Sequence, residues 1–381
     1  MPPARSNLPL LPQQFKVSSS QQIASLWSNY GYIYRLHLSS EPHSLILKSV
    51  HPPAVSHPDE SHLRKLLSYN VERWFYRHLA SRLPHTVKLA IEYPLQSDAE
   101  HSLLLEDLSA EFRYPASGSL SKDATLCVLH WLAGFHGTFF RIQSCESADN
   151  LSLVPPPKRW KEGNGMAGVW ERGTYWYLDT RREELEQTDE DEYSWLMPWI
   201  EKVRLMLKVP RFRSQQSGAQ MNEMVRHEIK QYGTFVHGDV KGANIVFNRD
   251  PYPRRGGNAS SPFSDPPLRC ALYDLQYVGL GLTTLDLVGF LGTSVESKLL
   301  RSLADERNLL QNYFHKFQEV VAQVGVDGPK YTFDKFWTHW ELAIVDWYRF
   351  MAGWGFWGND RWVERRAREI VERWAEAGFP L

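Results

Sequence analysis

The apolar residues divide the chain into a first third with short strand-like runs and a remainder with long helical periods. Apolar runs at residues 23–27, 32–38, 44–50 and 103–108 have the length of β-strands. Apolar residues then recur at three- and four-residue spacing, over 121–140, 193–207, 216–231, 283–291, 297–324, 332–351 and 360–377. This pattern predicts an α+β fold in which a strand-rich part precedes a larger, mostly helical part.

One helix is predicted to interrupt the strands of the first third. It begins at Asp59 or Ser61, both of which are suitable N-caps, and ends near Arg82, before Pro84. Residues 1–20 are rich in Pro, Gln and Ser, so we expect a flexible leader.

Two further segments have irregular compositions. Residues 154–191 combine glycines with tryptophans and tyrosines, which predicts an insertion that either lines a pocket or packs onto the helical part. We favour packing. Residues 249–268 are rich in Pro, Gly and Ser, which predicts a disordered loop between the two strands of a hairpin.

The sequence also predicts the structural role of three residues within these helical segments. Pro198 is predicted to interrupt the helix at 193–207, because proline lacks the backbone N–H that a helix interior needs. His130 and His136 belong to the strongly apolar helix at 121–140. We therefore expect them to be packed core histidines rather than ligands.

Composition narrows the class of protein. The formal net charge is −1, and no basic run is present, which argues against nucleic acid as a partner. The three cysteines, Cys127, Cys145 and Cys270, are far apart and lack metal-ligand spacing, as is typical of a reducing compartment. No signal peptide or membrane-spanning run is evident, so we expect a cytoplasmic protein without a membrane partner. Nothing in the sequence indicates the oligomeric state.

The candidate chemistry lies in residues 235–248, where two apolar runs flank a polar loop, FVHGDVKGANIVFN. The loop presents Asp239, Lys241 and Asn244. In phosphoryl transfer a carboxylate can accept the proton of the attacking hydroxyl, an ammonium can neutralise the moving phosphoryl group, and a carboxamide oxygen can hold Mg²⁺. The alternative is an ordinary turn, for which Asp and Asn are common residues.

The spacing HGDxxxxN in this loop resembles the catalytic loop of the aminoglycoside phosphotransferase, choline kinase and ecdysteroid kinase-like superfamily. By motif order the resemblance runs from about Asn29 to Asp286. It implies a bilobal protein kinase-like fold, with a small β-sheet lobe at residues 21–107 that carries one key helix and a larger, mostly helical lobe at 108–381. It also implies ATP and Mg²⁺ as cofactors and transfer to a hydroxyl of a small molecule. Gly238, where protein kinases have arginine, favours this small-molecule branch.

Two charged residues precede the loop in the order that this fold requires. Lys48 interrupts an otherwise apolar strand, and a buried ammonium needs a partner. Glu72 has no lysine or arginine three or four residues away on its own helix. The resemblance implies that Lys48 holds the α- and β-phosphates and is paired with Glu72. An exposed edge-strand lysine and a solvated carboxylate are the alternatives for each residue taken singly.

Two backbone segments are implied nucleotide contacts. The resemblance sets the turn at 28–31, with Asn29 and Gly31, over the ATP phosphates. Phosphate loops normally contain several glycines, and this turn has one, so a plain hairpin turn is an equal alternative. The end of the strand at 103–108 would meet adenine through backbone groups at Glu106 and Leu108, with an ordinary strand end as the alternative.

Two later aspartates complete the implied site. Asp274 follows a predicted strand at 269–273 and would be the second magnesium ligand beside Asn244. The two residues after it depart from the DFG of protein kinases, as happens in the small-molecule branch. Asp286, early in the helix at 283–291, resembles the aspartate that ties down the catalytic-loop backbone. Compensation of the helix dipole is an equal alternative.

The hydroxyl acceptor is less well defined. In the resembled kinases the acceptor pocket is built largely from the C-terminal part, and aromatic residues concentrate at 346–358. Trp347, Trp354 and Trp357 suit a cationic or a flat apolar acceptor. For any single one of them, helix packing is the favoured interpretation.

Two other functions stay open. The turn with a single glycine also suits a kinase-like nucleotide-binding protein that is catalytically weak or inactive. Protein phosphorylation is weakened by the missing DFG and by the absence of an APE-like segment.

Overall fold

The computed structural model describes residues 11–12, 14–95, 101–142, 151–161, 165–189, 191–207, 228–252 and 266–380. Cys145 and most of the predicted segments 216–231 and 249–268 lie outside these residues.

The N-terminal part is a five-stranded antiparallel sheet with the order β1-β2-β3-β5-β4. Its strands are β1 Val17–Ser25, β2 Gly31–Leu38, β3 Ser44–Val50, β4 Glu92–Tyr93 and β5 Leu103–Glu106. Alternate residues of the central strands form a small apolar core on one face, including Leu36, Leu45 and Leu104. Strand β1 begins at Val17, so the last four residues of the predicted leader belong to the sheet.

One helix, α1 Glu60–His78, follows β3. The side chain of Asp59 accepts a hydrogen bond from the His62 N–H and caps the first turn, as predicted. The helix ends earlier than the sequence suggested, and residues 80–82 form a separate 3₁₀ turn.

The C-terminal part is mostly helical. Its helices are α2 Lys122–Thr138, α3 Arg182–Glu186, α4 Met197–Met206, α5 Thr284–Ser294, α6 Leu303–Val324, α7 Phe333–Trp354 and α8 Asp360–Ala377. Helix α2 packs on α6, while α7 packs on α5 and α8. The antiparallel sheet followed by this larger helical part confirms the predicted α+β, protein kinase-like architecture.

Several details of the helical part differ from the sequence expectations. Pro198 lies in the first turn of α4, where its missing N–H costs nothing, so it starts a helix rather than interrupting one. The predicted helix at 297–324 is divided, because Ser302 and Asp305 form a capping box that begins α6. His136 is buried, but His130 is exposed, so the prediction of a core residue is wrong for His130.

Short strands frame the polar loop of residues 237–244. Strands β10 Ile245–Phe247 and β11 Cys270–Leu272 form the predicted antiparallel hairpin, with β6 Tyr114–Pro115 on its other edge. Strand β9 Thr234–Val236 pairs with β12 Gly279–Gly281. Strands β8 Val169–Trp170 and β7 Leu153–Val154 extend that sheet in parallel.

The predicted insertion at 154–191 is therefore part of the sheet that supports the polar loop. Its Trp170 and Tyr177 are buried, in agreement with the favoured packing role. The Trp170 Nε1–H donates to the backbone oxygen of Gln276 at 2.8 Å. In the part of the chain that the structure describes, no helix combines the length and apolarity needed to cross a membrane.

Candidate active site

Three charged side chains meet where β3, α1 and the end of β11 come together. The Lys48 Nζ lies 2.6 Å from Glu72 Oε2 and 3.2 Å from Asp274 Oδ1. Lys48 and Glu72 are 7% and 2% exposed, which excludes the edge-strand lysine and the solvated carboxylate. The other oxygen of Glu72 accepts the Leu275 N–H at 3.1 Å. Helix α1 is thus bonded to the segment that carries Asp274.

The charge on Lys48 is maintained by its partners. Burial disfavours the ammonium, but the carboxylates of Glu72 and Asp274 outweigh it and raise the pKa of Lys48 above its ordinary value. Burial also raises the pKa of Glu72, against the opposing effect of Lys48. The lysine is therefore a fixed positive charge next to Asp274, whose side chain is 30% exposed.

The polar loop forms a second charged group. The Lys241 Nζ lies 2.8 Å from Asp239 Oδ2. The Asn244 Nδ2–H donates to the Asp239 carbonyl oxygen at 2.9 Å and to its Oδ2 at 3.2 Å. Burial raises the pKa of Asp239 to about 6, and the carboxylate of Asp274 adds to this, while Lys241 and Asn244 oppose it. Asp239 is consequently a stronger base than an ordinary aspartate.

Asp286 holds the backbone of this loop. Its Oδ2 accepts the His237 N–H at 2.6 Å, and its Oδ1 accepts the Gly238 N–H at 2.8 Å. These contacts are those of the supporting aspartate, so they favour that role over dipole compensation. Gly238 has φ +87°, and a Cβ there would collide with the backbone oxygen of Tyr277. This backbone therefore accounts for glycine at a position where protein kinases have arginine.

The oxygen atoms near Asp239 suit a magnesium ion. Because Asn244 uses its amide nitrogen on Asp239, its Oδ1 is left as an uncharged oxygen ligand. The Tyr273 N–H donates to the Asn244 backbone oxygen at 3.2 Å, so Asn244 and Asp274 lie on neighbouring chain segments. The two carboxylates of Asp239 and Asp274 repel each other, which a divalent cation would relieve. Hard oxygens are the ligands that Mg²⁺ prefers.

The turn at 28–31 has a structural explanation. Gly31 has φ +143°, and a Cβ there would collide with the backbone of Ser49 on β3. Asn29 lies in the left-handed region with φ +61°. The Lys65 Nζ donates to the Ser28 Oγ at 3.0 Å, which fastens the turn to α1. These contacts are sufficient to explain the single glycine as a residue of a close hairpin.

At the strand end that is implied to bind adenine, the N–H and the carboxylate of Glu106 already have partners within the protein. The Glu106 N–H donates to the Ile91 oxygen at 2.8 Å. The Glu106 carboxylate pairs with the Lys88 Nζ at 2.7 Å. Leu108 begins a 3₁₀ turn at 108–110 and is half-buried. The N–H of Glu106 is therefore not available to a nucleotide base.

A cavity of about 500 Å³ opens beside Asp239. Trp347 and Trp357 line it, but Trp354 does not: its side chain is 54% exposed and stacks with Arg181. Trp354 is therefore not a residue of this cavity wall. Tyr175 and Trp176 also line the wall, as the pocket alternative for residues 154–191 has it, whereas Gly289, Thr293 and Ser294 were not predicted from the sequence.

These wall residues differ in the signal that the sequence gives for them. Tyr175 and Trp176 belong to an aromatic run that was noticed, but its irregular backbone gave no periodicity from which to place it. Ser294 ends α5, and its Oγ accepts the Gly242 N–H at 2.8 Å. A lone serine at a helix end carries no such signal in sequence.

This fold is that of the protein kinase-like superfamily. The sequence profile of the ecdysteroid kinase-like family matches residues 32–326, and the chain belongs to this family. A comparison with curated proteins found no match.

Solved structures show the same fold. The choline kinase from Cryptosporidium parvum Iowa II is 11% identical, with a TM-score of 0.50 over 98% of this chain and 93% of that one. Amicoumacin kinase hAmiN, in complex with AMP-PNP, Ca²⁺ and Ami, is 11% identical, with a TM-score of 0.44 over 97% and 92%. Spectinomycin phosphotransferase, in complex with ADP and spectinomycin, is 12% identical, with a TM-score of 0.37 over 96% and 94%. At these identities the likeness concerns the fold alone, and only the first reaches a TM-score of 0.5.

Proposed function

We propose that this protein is an ATP- and Mg²⁺-dependent phosphotransferase that transfers the γ-phosphate of ATP to a hydroxyl of a small molecule. The observation that supports this proposal most strongly is the buried Lys48–Glu72 pair, in which the Lys48 Nζ also lies 3.2 Å from Asp274 Oδ1. An ammonium fixed in this way suits the α- and β-phosphates. We assign residues 21–107 to the nucleotide lobe, together with the four preceding residues of β1, and 108–381 to the lobe for catalysis and acceptor binding.

In this proposal Asp239 accepts the proton of the acceptor hydroxyl. A pKa of about 6 leaves it ionised at neutral pH and makes it a stronger base than a solvated aspartate. As the proton moves to Asp239, a bond forms between the acceptor oxygen and the γ-phosphorus, and the bond to the β-phosphate oxygen breaks to release ADP. Lys241 and Asn244 hold the carboxylate in place through hydrogen bonds.

In this proposal, Lys241 and Mg²⁺ neutralise the negative charge of the phosphate groups. Lys241 is 42% exposed and 2.8 Å from Asp239, so its ammonium can also reach a phosphoryl group beside that carboxylate. Asn244 and Asp274 would hold Mg²⁺, which supplies neutralisation of the phosphate charge when bound.

We propose a neutral acceptor with a flat apolar body rather than a cationic one. The carboxylates in the cavity wall belong to Asp239 and Asp286, and both already have hydrogen-bonded partners. The rest of the wall includes Trp176, Trp347 and Trp357, which favour apolar surface. The name of the family, which refers to ecdysteroids, agrees with this choice.

The test is ATP consumption by the purified protein with a library of hydroxyl compounds, comparing wild type with Asp239→Asn. Wild type is expected to turn over with apolar alcohols, and Asp239→Asn to lose that turnover. Glu341→Gln changes another buried carboxylate, one that does not line the cavity, and this matched control is expected to retain turnover. Equal turnover by wild type and Asp239→Asn would remove the assignment.

Trp357→Ala tests the acceptor. It is expected to raise the KM for an apolar alcohol and to leave the KM for ATP unchanged, because Trp357 lines the cavity beside Asp239. Preferred turnover of choline over apolar alcohols would refute the choice of a neutral acceptor.

The second candidate is a nucleotide-binding relative without transfer activity. It is favoured by the turn at 28–31, whose single glycine is explained by its contact with β3. Magnesium-dependent ATP binding by wild type, without phosphate transfer to any compound of the library, would support it.

A further inference from the structure

A buried histidine lies directly behind the aspartate that holds the polar loop. The His136 ring on α2 is 2.9 Å from Asp286 Oδ2 through Nε2 and 2.8 Å from the Tyr313 hydroxyl through Nδ1. His136 and Tyr313 are 0% exposed, and Asp286 is 2% exposed. Because an ionised carboxylate only accepts, Nε2 carries a proton and donates it to Asp286, while Nδ1 is hydrogen-bonded to the tyrosine hydroxyl.

This arrangement gives the Asp286 carboxylate three N–H donors. Two are the backbone N–H groups of His237 and Gly238, and the third is the His136 ring. His136 and the His237 N–H share Oδ2, so the ring limits the directions in which the carboxylate can face. A change in that direction would misalign both backbone bonds to the loop, one residue before Asp239.

Helix α2 is also tied to the strand that enters the loop. The Thr234 Oγ1–H donates to the His136 backbone oxygen at 2.7 Å, and Thr234 is the first residue of β9. The histidine therefore contacts both the strand and the supporting carboxylate through groups that are closed to solvent.

We propose that His136 is a positioning residue for phosphate transfer. It fixes the orientation of Asp286 and, through it, the backbone that presents Asp239 to the acceptor. This role rests on the proposed function. It goes beyond a packing histidine because the carboxylate that it holds is bonded to the catalytic loop itself.

The chain offers a matched control in a second group of the same chemistry. His339 on α7 is 2.7 Å from Glu228 Oε2 through Nε2 and 2.7 Å from the Tyr331 hydroxyl through Nδ1. It is 1% exposed, so it is as buried as His136. The carboxylate of Glu228 pairs with Lys335, however, and not with the catalytic loop.

The first experiment compares His136→Asn, His136→Gln and His339→Asn by steady-state kinetics. The longer Gln side chain can present an amide N–H near the place of Nε2, whereas Asn is too short to reach Asp286. We expect His136→Asn to lower kcat about tenfold or more, equivalent to ~1.4 kcal/mol, with an unchanged KM for ATP. We expect His136→Gln to recover much of the loss and His339→Asn to retain kcat. Equal losses in the two Asn variants, or no loss in either, would overturn the role.

The second experiment does not depend on turnover and uses gentler changes. Tyr313→Phe and Tyr331→Phe each remove one hydroxyl partner and keep the histidine. Hydrogen exchange of the peptide covering residues 234–241 is expected to rise in Tyr313→Phe and His136→Asn, but not in Tyr331→Phe and His339→Asn. If hydrogen exchange changes in this way but the wild-type protein transfers no phosphate, the proposed function is refuted while the link between His136 and the loop is supported. Unchanged exchange in Tyr313→Phe and His136→Asn would overturn the link, whatever the activity.

Discussion

Replacing Asp239 with asparagine is expected to stabilise the folded protein while it removes the proposed proton acceptor. Burial, with a contribution from Asp274, raises the pKa of Asp239 from 3.8 to about 6. A carboxylate whose pKa rises on folding destabilises the folded state whenever it is ionised. Asparagine has nearly the same shape and no charge, so it avoids this cost.

The size of the effect depends on pH. Because the folded-state pKa of Asp239 lies above the unfolded one, its ionisation has no effect on stability well below pH 3.8. The cost grows as pH rises from 3.8 to about 6 and is constant above that. At about 1.4 kcal/mol per pH unit, it amounts to about 1.6 kcal/mol at pH 5 and about 3 kcal/mol at pH 8.

The assay is urea denaturation of wild type and Asp239→Asn at pH 5 and pH 8 without nucleotide. The variant is expected to have the larger free energy of unfolding, by a margin that increases with pH. Asp107→Asn is the control of opposite sign: despite its burial, hydrogen bonds from Ser109, Ser44 and Arg35 lower the pKa of Asp107, so this variant should be destabilised. An Asp239→Asn protein no more stable than wild type at pH 8, or a margin that shrinks with pH, would refute the reasoning.

Three further predictions concern the same structure. The wild-type rate of phosphate transfer is expected to fall about tenfold per pH unit below about 6, where Asp239 is protonated; a flat profile from pH 4.5 to 8 would contradict this. Lys48→Met is expected to lower the free energy of unfolding by about 3–5 kcal/mol, because Glu72 is left buried without its partner. Urea denaturation of the double variant Lys48→Met/Glu72→Gln should show that part of this free energy of unfolding is recovered. An equal loss in the single and the double variant would contradict the stabilising role of the Lys48–Glu72 pair. Gly31→Ala is expected to lower Tm more than Gly325→Ala, since only at Gly31 would a Cβ strike neighbouring backbone; equal shifts would show that this contact relaxes freely.

The sequence predicted elements best where its periodicity was bounded by clear stop signals. Strand β3 and helix α8 have the predicted bounds, the latter ended by Gly378. Strand β1 was placed too late because residues 18–22 are polar and mostly exposed, and they join the sheet through backbone pairing with β2. Backbone pairing leaves no pattern of side chains when neither face is buried.

The candidate site was predictable as far as it depends on residue types and their order. Lys48 and Glu72 could be named because a charge in an apolar strand needs a partner from elsewhere. Asp274 could be named because the resemblance implies an acidic residue after the strand that follows the catalytic loop. The wall of the cavity was not predictable. Tyr175 and Trp176 reach it from irregular backbone that is fixed by β8 pairing in parallel with β12, and such long-range pairing has no local signal.

The pairing of β8 with β12 also limits how this protein could change its acceptor. The segment that brings Tyr175 and Trp176 to the cavity is hydrogen-bonded, through Trp170, to the backbone of Gln276, two residues beyond Asp274. Grafting this segment from a relative would therefore alter the cavity wall and shift the backbone next to Asp274 at the same time. Exchange of single side chains on the cavity wall is the route that keeps the two properties separable, for evolution and for an engineer.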